Sequence, residues 1–203
     1  MKNKLIIYEG IDCCGKSTEI EKTYNDLIAK GYKVIKTREP GGTPLGEKIR
    51  DILKSDIKLS YKDEAYLFAT SRSSHNAQII EWIKEGYIVL CDRHYLSSYV
   101  YQGSDLAEPI NKAAMEILDN IDYKIIYFDV DQENYTKRVT SRNEKSDRFE
   151  YNLADPDYFN ETRIRYVKAA MKFNAELIET SNKNIEDIHK EVMDKVLNII
   201  EEE

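Results

Sequence analysis

No long hydrophobic run occurs in the 203-residue chain. The first apolar stretch, Lys4-Leu5-Ile6-Ile7-Tyr8, leads directly into a polar loop. Neither a secretory leader nor a span of the roughly 20 apolar residues that a bilayer requires is expected, and no membrane partner is implied. Cysteine is scarce, at three residues, two of them adjacent as Cys13 and Cys14. An odd count with such neighbours does not build a disulfide framework and fits a reducing, cytoplasmic setting. An excess of positive charge is also missing. The net charge of −7 argues against a nucleic-acid partner, which would require a basic face. The three histidines show no Cys/His spacing of a zinc site. Internal repeats, low-complexity tracts and long linkers are absent too. What remains is a chain with 41% hydrophobic residues, enough to bury a core as one domain over 1–203, with a small lid at about 140–155.

Against this background one motif stands out: Gly10-Ile11-Asp12-Cys13-Cys14-Gly15-Lys16-Ser17 fits the phosphate-loop pattern G-x-x-x-x-G-K-[ST] at every fixed position. Glycines let main-chain amides curl around phosphate oxygens, and the following helix points its N-terminal N–H groups at the same anion. Lys16 brings a cation to the β- and γ-phosphates, while the Ser17 hydroxyl suits Mg²⁺. Thr18 opens the next helical turn beside them. A short apolar strand before the loop and a helix after it supply the context the motif requires. The expected ligand is ATP or another nucleoside triphosphate, with Mg²⁺.

Apolar strand candidates are Lys4 to Tyr8, Tyr32 to Thr37, Tyr87 to Cys91, Tyr123 to Val130 and Ala175 to Ile178. Helical patterns run near 16–30, 44–54, 61–84, 108–119, 131–142, 156–174 and 184–201, with Gly31 and Gly86 placed as helix ends. This alternation predicts an α/β fold of P-loop NTPase type: five parallel strands flanked by helices, ligands bound beyond the strands' carboxyl ends.

Four further constellations follow strand ends. Nine arginines are present, and seven (38, 50, 72, 93, 138, 142 and 148) fall in or beside these motifs, as suits a small polyanion gripped by guanidinium forks. Thr37-Arg38-Glu39-Pro40-Gly41-Gly42-Thr43 forms a stiff turn that holds Arg38 and Glu39, with Arg50 on the next helix; a solvated Arg–Glu pair is the bland alternative. Phe68 and Arg72, at i and i+4, share a helix face where they can stack a base and hold its phosphate, or serve as a core Phe with a snorkelling Arg. Asp92 and Arg93 end an apolar strand, where Asp92 matches a carboxylate that supports a Mg²⁺ shell or else caps the next helix, though a charged pair ending a buried strand is costly without ligands. Arg138, Arg142 and Asp147-Arg148-Phe149-Glu150 lie in and beside a polar stretch from Thr140 to Asp155 that suits a lid closing over phosphates, or else a solvated connection.

Taken together, Glu9-Gly10-Ile11-Asp12, Arg38-Glu39-Pro40-Gly41-Gly42-Thr43, Phe68-Ala69 with Arg72, Asp92-Arg93, Tyr101-Gln102-Gly103 and Asp147-Arg148-Phe149-Glu150 resemble the thymidylate kinases over nearly the whole chain. The resemblance implies a nucleoside monophosphate kinase with a short lid that phosphorylates dTMP with ATP and Mg²⁺. It places Asp12 and Glu39 near the sugar and metal, and Arg38, Arg72 and Arg93 around the phosphates. Phe68 would lie on the thymine, Arg50, Ser98 and Gln102 at its polar edge, and Tyr101 against the deoxyribose. Ser17, Asp92 and Glu39 would serve the metal. Because Cys13 and Cys14 stand where one branch of the family has a loop arginine, the resemblance assigns the clamp to the lid. Lys16, Arg93, Arg142, Arg148 and Asp12 then form the catalytic group. It also implies a homodimer. Val100, where alanine is more usual, is expected to tighten the acceptor pocket. Two alternatives stay open: a kinase of this fold for another nucleotide or deoxynucleoside, and a nonenzymatic module switched by triphosphate, which leaves the arginine motifs unexplained.

Overall fold

The computed structural model describes residues 5–141 and 151–201. The chain runs β1 (Leu5–Glu9), α1 (Lys16–Ala29), β2 (Val34–Arg38), α2 (Pro44–Lys54), α3 (Tyr61–Lys84), β3 (Ile88–Asp92), α4 (Tyr95–Tyr101), α5 (Ser104–Glu116), β4 (Tyr123–Asp129), α6 (Gln132–Ser141), α7 (Pro156–Lys172), β5 (Glu176–Glu179) and α8 (Ile185–Glu201). The five strands form one parallel sheet ordered β2-β3-β1-β4-β5, as the apolar runs predict. The burial patterns explain the order. Every residue of β1 is buried and β3 nearly so, whereas β2 and β5 carry exposed residues and form the edges. The core joins the central strands to Ile20 and Leu27 of α1, Ile79 and Ile83 of α3, Phe159 and Tyr166 of α7, and Val192 and Val196 of α8.

Local chemistry sets the helix ends that matter for the cleft. Thr43 caps α2 by accepting from the Gly46 N–H, and Ser60 with Asp63 closes a capping box on α3. Asp155 accepts from the N–H groups of Asp157 and Tyr158 at the start of α7. α1 and α3 end in the expected glycines: Gly31 bonds back to Ile28 and Tyr32 to Leu27, while Gly86 bonds to Ile83 and Tyr87 to Trp82.

Two expectations need correction here. α5 begins at Ser104 rather than near 108; Pro109, which marks a helix start in sequence, lies inside it. α4 has no counterpart among the helical patterns. Its N-cap, His94, makes no side-chain cap bond. A strand residue from elsewhere in the chain does that work: Glu9 Oε1 accepts the N–H of His94 at 2.7 Å and of Ser97 at 3.1 Å. A cap supplied across 85 residues leaves no trace in the local sequence. Of the segment expected as a lid, Tyr151–Ala154 form a single 3₁₀ turn, and Arg142 and Arg148 lie outside the described residues.

Candidate active site

β1, β2 and β3 end side by side, so the loops after them converge. The phosphate loop closes on itself through Lys16, which is buried and whose Nζ donates to the carbonyls of Gly10 at 2.9 Å and Ile11 at 2.8 Å. Gly10 sits at φ 148°, and a Cβ there would come within 2.4 Å of the Phe128 carbonyl oxygen, so the loop can leave β1 over β4 only with glycine. The side chains of Cys13 and Cys14 differ. Cys14 is wholly buried, and burial pushes its thiol up despite the nearby Lys16. Cys13 is part-exposed with φ 58°, and its carbonyl accepts from Arg138 Nη1 at 3.3 Å. Arg138 also donates to the Thr180 carbonyl at 2.6 Å and so ties the loop to the end of β5.

Ser17 Oγ donates to Asp92 Oδ2 at 3.0 Å, and Asp92 Oδ1 is buried without a hydrogen-bond partner among the described residues. These two side chains can hold a divalent cation. No group of three or more His, Cys, Asp or Glu that could do so occurs among the described residues. Glu39, expected as a third metal residue, has other company. Its Oε2 accepts from Arg72 Nε at 2.8 Å, and its Oε1 faces His75 Nδ1 at 3.1 Å and His94 Nε2 at 3.2 Å. Burial pushes the Glu39 carboxyl up, but Arg72, His94 and His75 outweigh it and hold the group at about 2. Oε2 thus holds Arg72, while Oε1 is shared by the two histidines.

Arg72 is 1% exposed, not a snorkelling surface residue. Besides Glu39 it donates to Asn111 Oδ1, to the His94 carbonyl at 3.1 Å and to Ser98 Oγ at 3.1 Å. Arg38 behaves differently: its side chain is half exposed and pairs with Glu47 at 2.8 Å. Arg50 donates to the Pro40 carbonyl at 3.0 Å. Arg93 pairs with Asp12 at 2.6 Å and lies over the Tyr101 ring at 5.8 Å.

These groups border two cavities. One, of about 890 Å³, is lined by Asp12, the loop from Cys13 to Thr18, Arg38, Asp92 and Arg138, and runs on to Lys183–Glu186 at the start of α8. The other, of about 390 Å³, is lined by Phe68, Arg72, Ser98, Tyr101 and Gln102, with Tyr61, Tyr158 and Asn152 on the far wall. Asp12, Glu39, Arg50, Lys54 and Arg93 border both, so the cavities meet at the Asp12–Arg93 pair. Gly10 and Ile11 line neither; they form the floor that holds Lys16. Val100 is also outside them, buried in the core at 2% exposure, so it does not narrow the second cavity by contact. Sequence reasoning missed the residues behind the site: Glu9, His75, His94, Asn111 and Tyr166. One signal existed, since His75 and Asn76 extend a polar stripe from Arg72 along a helix face that would otherwise be apolar.

Comparison with known proteins agrees with the geometry. The sequence profile of the family described as Thymidylate kinase matches residues 8–192. The thymidylate kinase of Thermoanaerobacter sp. (strain X514) is 37% identical over 207 residues, covering 97% of this chain and 98% of the relative. That of Finegoldia magna is 36% identical over 201 residues, covering 93% and 95%. That of Acholeplasma laidlawii is 32% identical over 202 residues, covering 95% and 98%. With a parallel five-stranded sheet, a phosphate loop after β1 and a second cavity closed by Phe68 and Arg72, the chain belongs to the thymidylate kinase family.

Proposed function

We propose that the two cavities divide the work of one reaction, transfer of the γ-phosphoryl group of ATP to dTMP. The observation that carries this reading is their junction. A cavity built on the phosphate loop and a smaller one walled by an aromatic ring and a buried arginine meet at Asp12 and Arg93, where two phosphates in line would react. Chain 1–203 acts as one kinase domain with a lid at about 140–155.

On the donor side, loop amides from Cys13 to Thr18 receive the triphosphate, and Lys16 trades its carbonyl partners for phosphate oxygens. Ser17 and Asp92 would hold Mg²⁺, which when bound would neutralise phosphate charge. A hydroxyl with one buried, underused carboxylate fits an ion that takes most of its remaining ligands from phosphate and water. On the acceptor side Phe68 lies against thymine, Arg50, Ser98 and Gln102 read its edge, Tyr101 packs on the deoxyribose, and Arg38 and Arg72 draw in the phosphate. Glu39 is assigned the task of holding Arg72. Arg93 and Asp12 sit between the two halves.

The transition state is loose and highly charged, so positioning and positive charge do most of the catalysis. The acceptor phosphate is already ionised near neutral pH and needs no strong base. Arg142 and Arg148 complete the clamp from the lid, in place of a loop arginine at Cys13 or Cys14. Two copies associate as a homodimer. The reaction takes place in the cytoplasm; no helix among the described residues is long and apolar enough to cross a membrane.

The test is a coupled assay of purified protein with ATP, Mg²⁺ and a panel of monophosphates. Turnover on dTMP well above dUMP, dGMP and UMP is expected. Binding of ATP without transfer to any of them would sink the reading.

A further inference from the structure

Arg93 stands at the junction in a conformation that needs support. Its φ of 65° is one that residues with a side chain seldom adopt and keep only where their surroundings fix it. Its main-chain N–H donates to the Tyr8 carbonyl at 2.9 Å. Its guanidinium is held from two sides. Nη2 donates to Asp12 Oδ1 at 2.6 Å, while Nη1 donates to Tyr166 Oη at 2.9 Å and Ser97 Oγ at 3.1 Å.

Tyr166 comes from α7, remote in sequence, and is fully buried. Its ring lies parallel to Tyr127 of β4 at 5.6 Å and 7°, and edge-on to Tyr101 at 5.8 Å and 82°, so the hydroxyl has little freedom to move. Behind it, Tyr166 Oη lies 3.0 Å from Ser97 Oγ, and Ser97 Oγ donates to Glu9 Oε2 at 2.6 Å. Glu9 is itself buried and receives the N–H groups of His94 and Ser97 on its other oxygen.

These contacts settle which group donates. The Glu9 carboxylate only accepts, so the single Ser97 proton goes to it. Ser97 Oγ is then an acceptor for Tyr166, and the Tyr166 oxygen is an acceptor for Arg93. Burial pushes the Tyr166 phenol well up, which keeps it protonated for this role. Hydrogen bonds therefore run one way, guanidinium to phenol to hydroxyl to carboxylate. Glu9 serves as a second counter-charge for Arg93 that never touches it, and the same carboxylate fixes the start of α4.

We propose that Tyr166 is a positioning residue for phosphoryl transfer: backed by Ser97 and Glu9, it fixes the plane of the Arg93 guanidinium. Nε and the second Nη2 proton, which have no partner among the described residues, are thereby left for the phosphates. No proton moves along the chain; its effect is geometric. The inference rests on the reading that Arg93 meets the transferring group.

The test uses the full chain and its Tyr166→Phe variant, which keeps the ring, its stacking and its volume and removes one hydroxyl. With dTMP, ATP and Mg²⁺, kcat is expected to fall about tenfold, the loss of one hydrogen bond to a charged group, while KM for ATP stays within twofold. In an Arg93→Lys background, where the fork is gone, the same substitution should cost nothing further. A purely structural Tyr166 would not give that split. Unchanged kcat in Tyr166→Phe, or an undiminished tenfold loss on top of Arg93→Lys, overturns the proposal. Should Tyr166→Phe fail to fold, Ser97→Ala removes both the acceptor behind Tyr166 and the direct Ser97 contact to Arg93 Nη1, so kcat is expected to fall at least tenfold; unchanged kcat there overturns the proposal equally. An unaltered chain without dTMP turnover overturns the parent reading and this inference with it. Turnover by the unaltered chain with kcat unmoved in the variant overturns the inference alone.

Discussion

Arg72 offers the most direct test of the acceptor cavity, and replacement by lysine is the informative change. Arg72→Ala would leave the buried Glu39 carboxylate uncompensated, at a cost of about 3–5 kcal/mol, and would mix unfolding with function. Arg72→Lys keeps the charge and removes the fork. The arginine makes four donations: to Glu39 at 2.8 Å, to Asn111, and to the His94 carbonyl and Ser98, each at 3.1 Å. A lysine ammonium that keeps Glu39 loses reach to the others. Ser98 can rotate, but the Asn111 bond to the Ala107 carbonyl is made by Nδ2, so the main loss falls on two buried acceptors, Asn111 Oδ1 and the His94 carbonyl. At about 1–3 kcal/mol each, the expected destabilisation is about 2–6 kcal/mol. For a chain of 203 residues that lowers the melting temperature by roughly 4–24 °C, at about 2–4 °C per kcal/mol.

The kinetic signature separates this from general damage. Arg72 lines the smaller cavity and not the one built on the phosphate loop. Steady-state kinetics below the melting range should show kcat/KM for dTMP lower by roughly 10–100-fold, the equivalent of one or two lost polar contacts to the substrate, with KM for ATP within about twofold. Equal losses toward ATP and dTMP would show that Arg72 does not belong to an acceptor half. A melting temperature within a degree of the unaltered chain would show that the Glu39 network does not carry the energy assigned to it.

Other expectations follow from the same contacts. His94 is held down at about 4 by burial, with Arg72 and His75 adding to that and Glu39 opposing it; its Nδ1 is buried without a partner, so a proton there would have no acceptor. The folded value lies below the ordinary one. The unfolded chain therefore binds the additional proton between about 6.5 and 4, and unfolding free energy falls on acidification through that window by on the order of 3 kcal/mol. Denaturant titrations across it should flatten in His94→Asn; a parallel profile refutes the assignment. Asp92→Asn should raise the Mg²⁺ concentration for half-maximal rate at least tenfold, read by titrating the ion at saturating nucleotides, and an unchanged midpoint removes Asp92 from the metal shell. Of the three thiols, only Cys13 is part-exposed, so a thiol reagent should modify one cysteine quickly in the folded protein and three after denaturation.

What could be read from the sequence was local. Apolar runs gave the five strands, because a buried parallel strand needs an unbroken row of large side chains and Leu5–Tyr8 or Ile88–Cys91 can be little else. The phosphate loop was visible because its spacing has one geometric meaning, and the i, i+4 spacing put Phe68 and Arg72 on one face without deciding between a ligand face and a core Phe with a snorkelling Arg. The lost information was of another kind. α4 is a short helix whose cap is Glu9, and nothing within a few residues of Tyr95 records that. The family resemblance alone places Glu39 near the metal; the contacts it makes come from two histidines and an arginine of α3 and the loop after β3, which its local sequence does not record. Tyr166 gave no signal at all, being one aromatic in an amphipathic helix.

A common cause underlies these cases. Side chains that meet substrate must protrude at strand ends, so motif spacing betrays them. Side chains that orient those residues are buried, where any polar group is costly unless every bond is met by partners from distant segments. Three carboxylates show the consequence. Asp12 and Glu39 both border the two cavities, Asp12 pairing with Arg93 and Glu39 holding Arg72; Glu9 lies behind them, lines neither cavity, and reaches Arg93 only through Ser97 and Tyr166. The partners of Glu9, His94 and Ser97, stand 85 and 88 residues away, so the innermost carboxylate ties the site to the whole sheet. A substitution at Asp12 should therefore act on catalysis first, whereas one at Glu9 should act on catalysis and folding together, since it releases both the arginine and the N-terminus of α4.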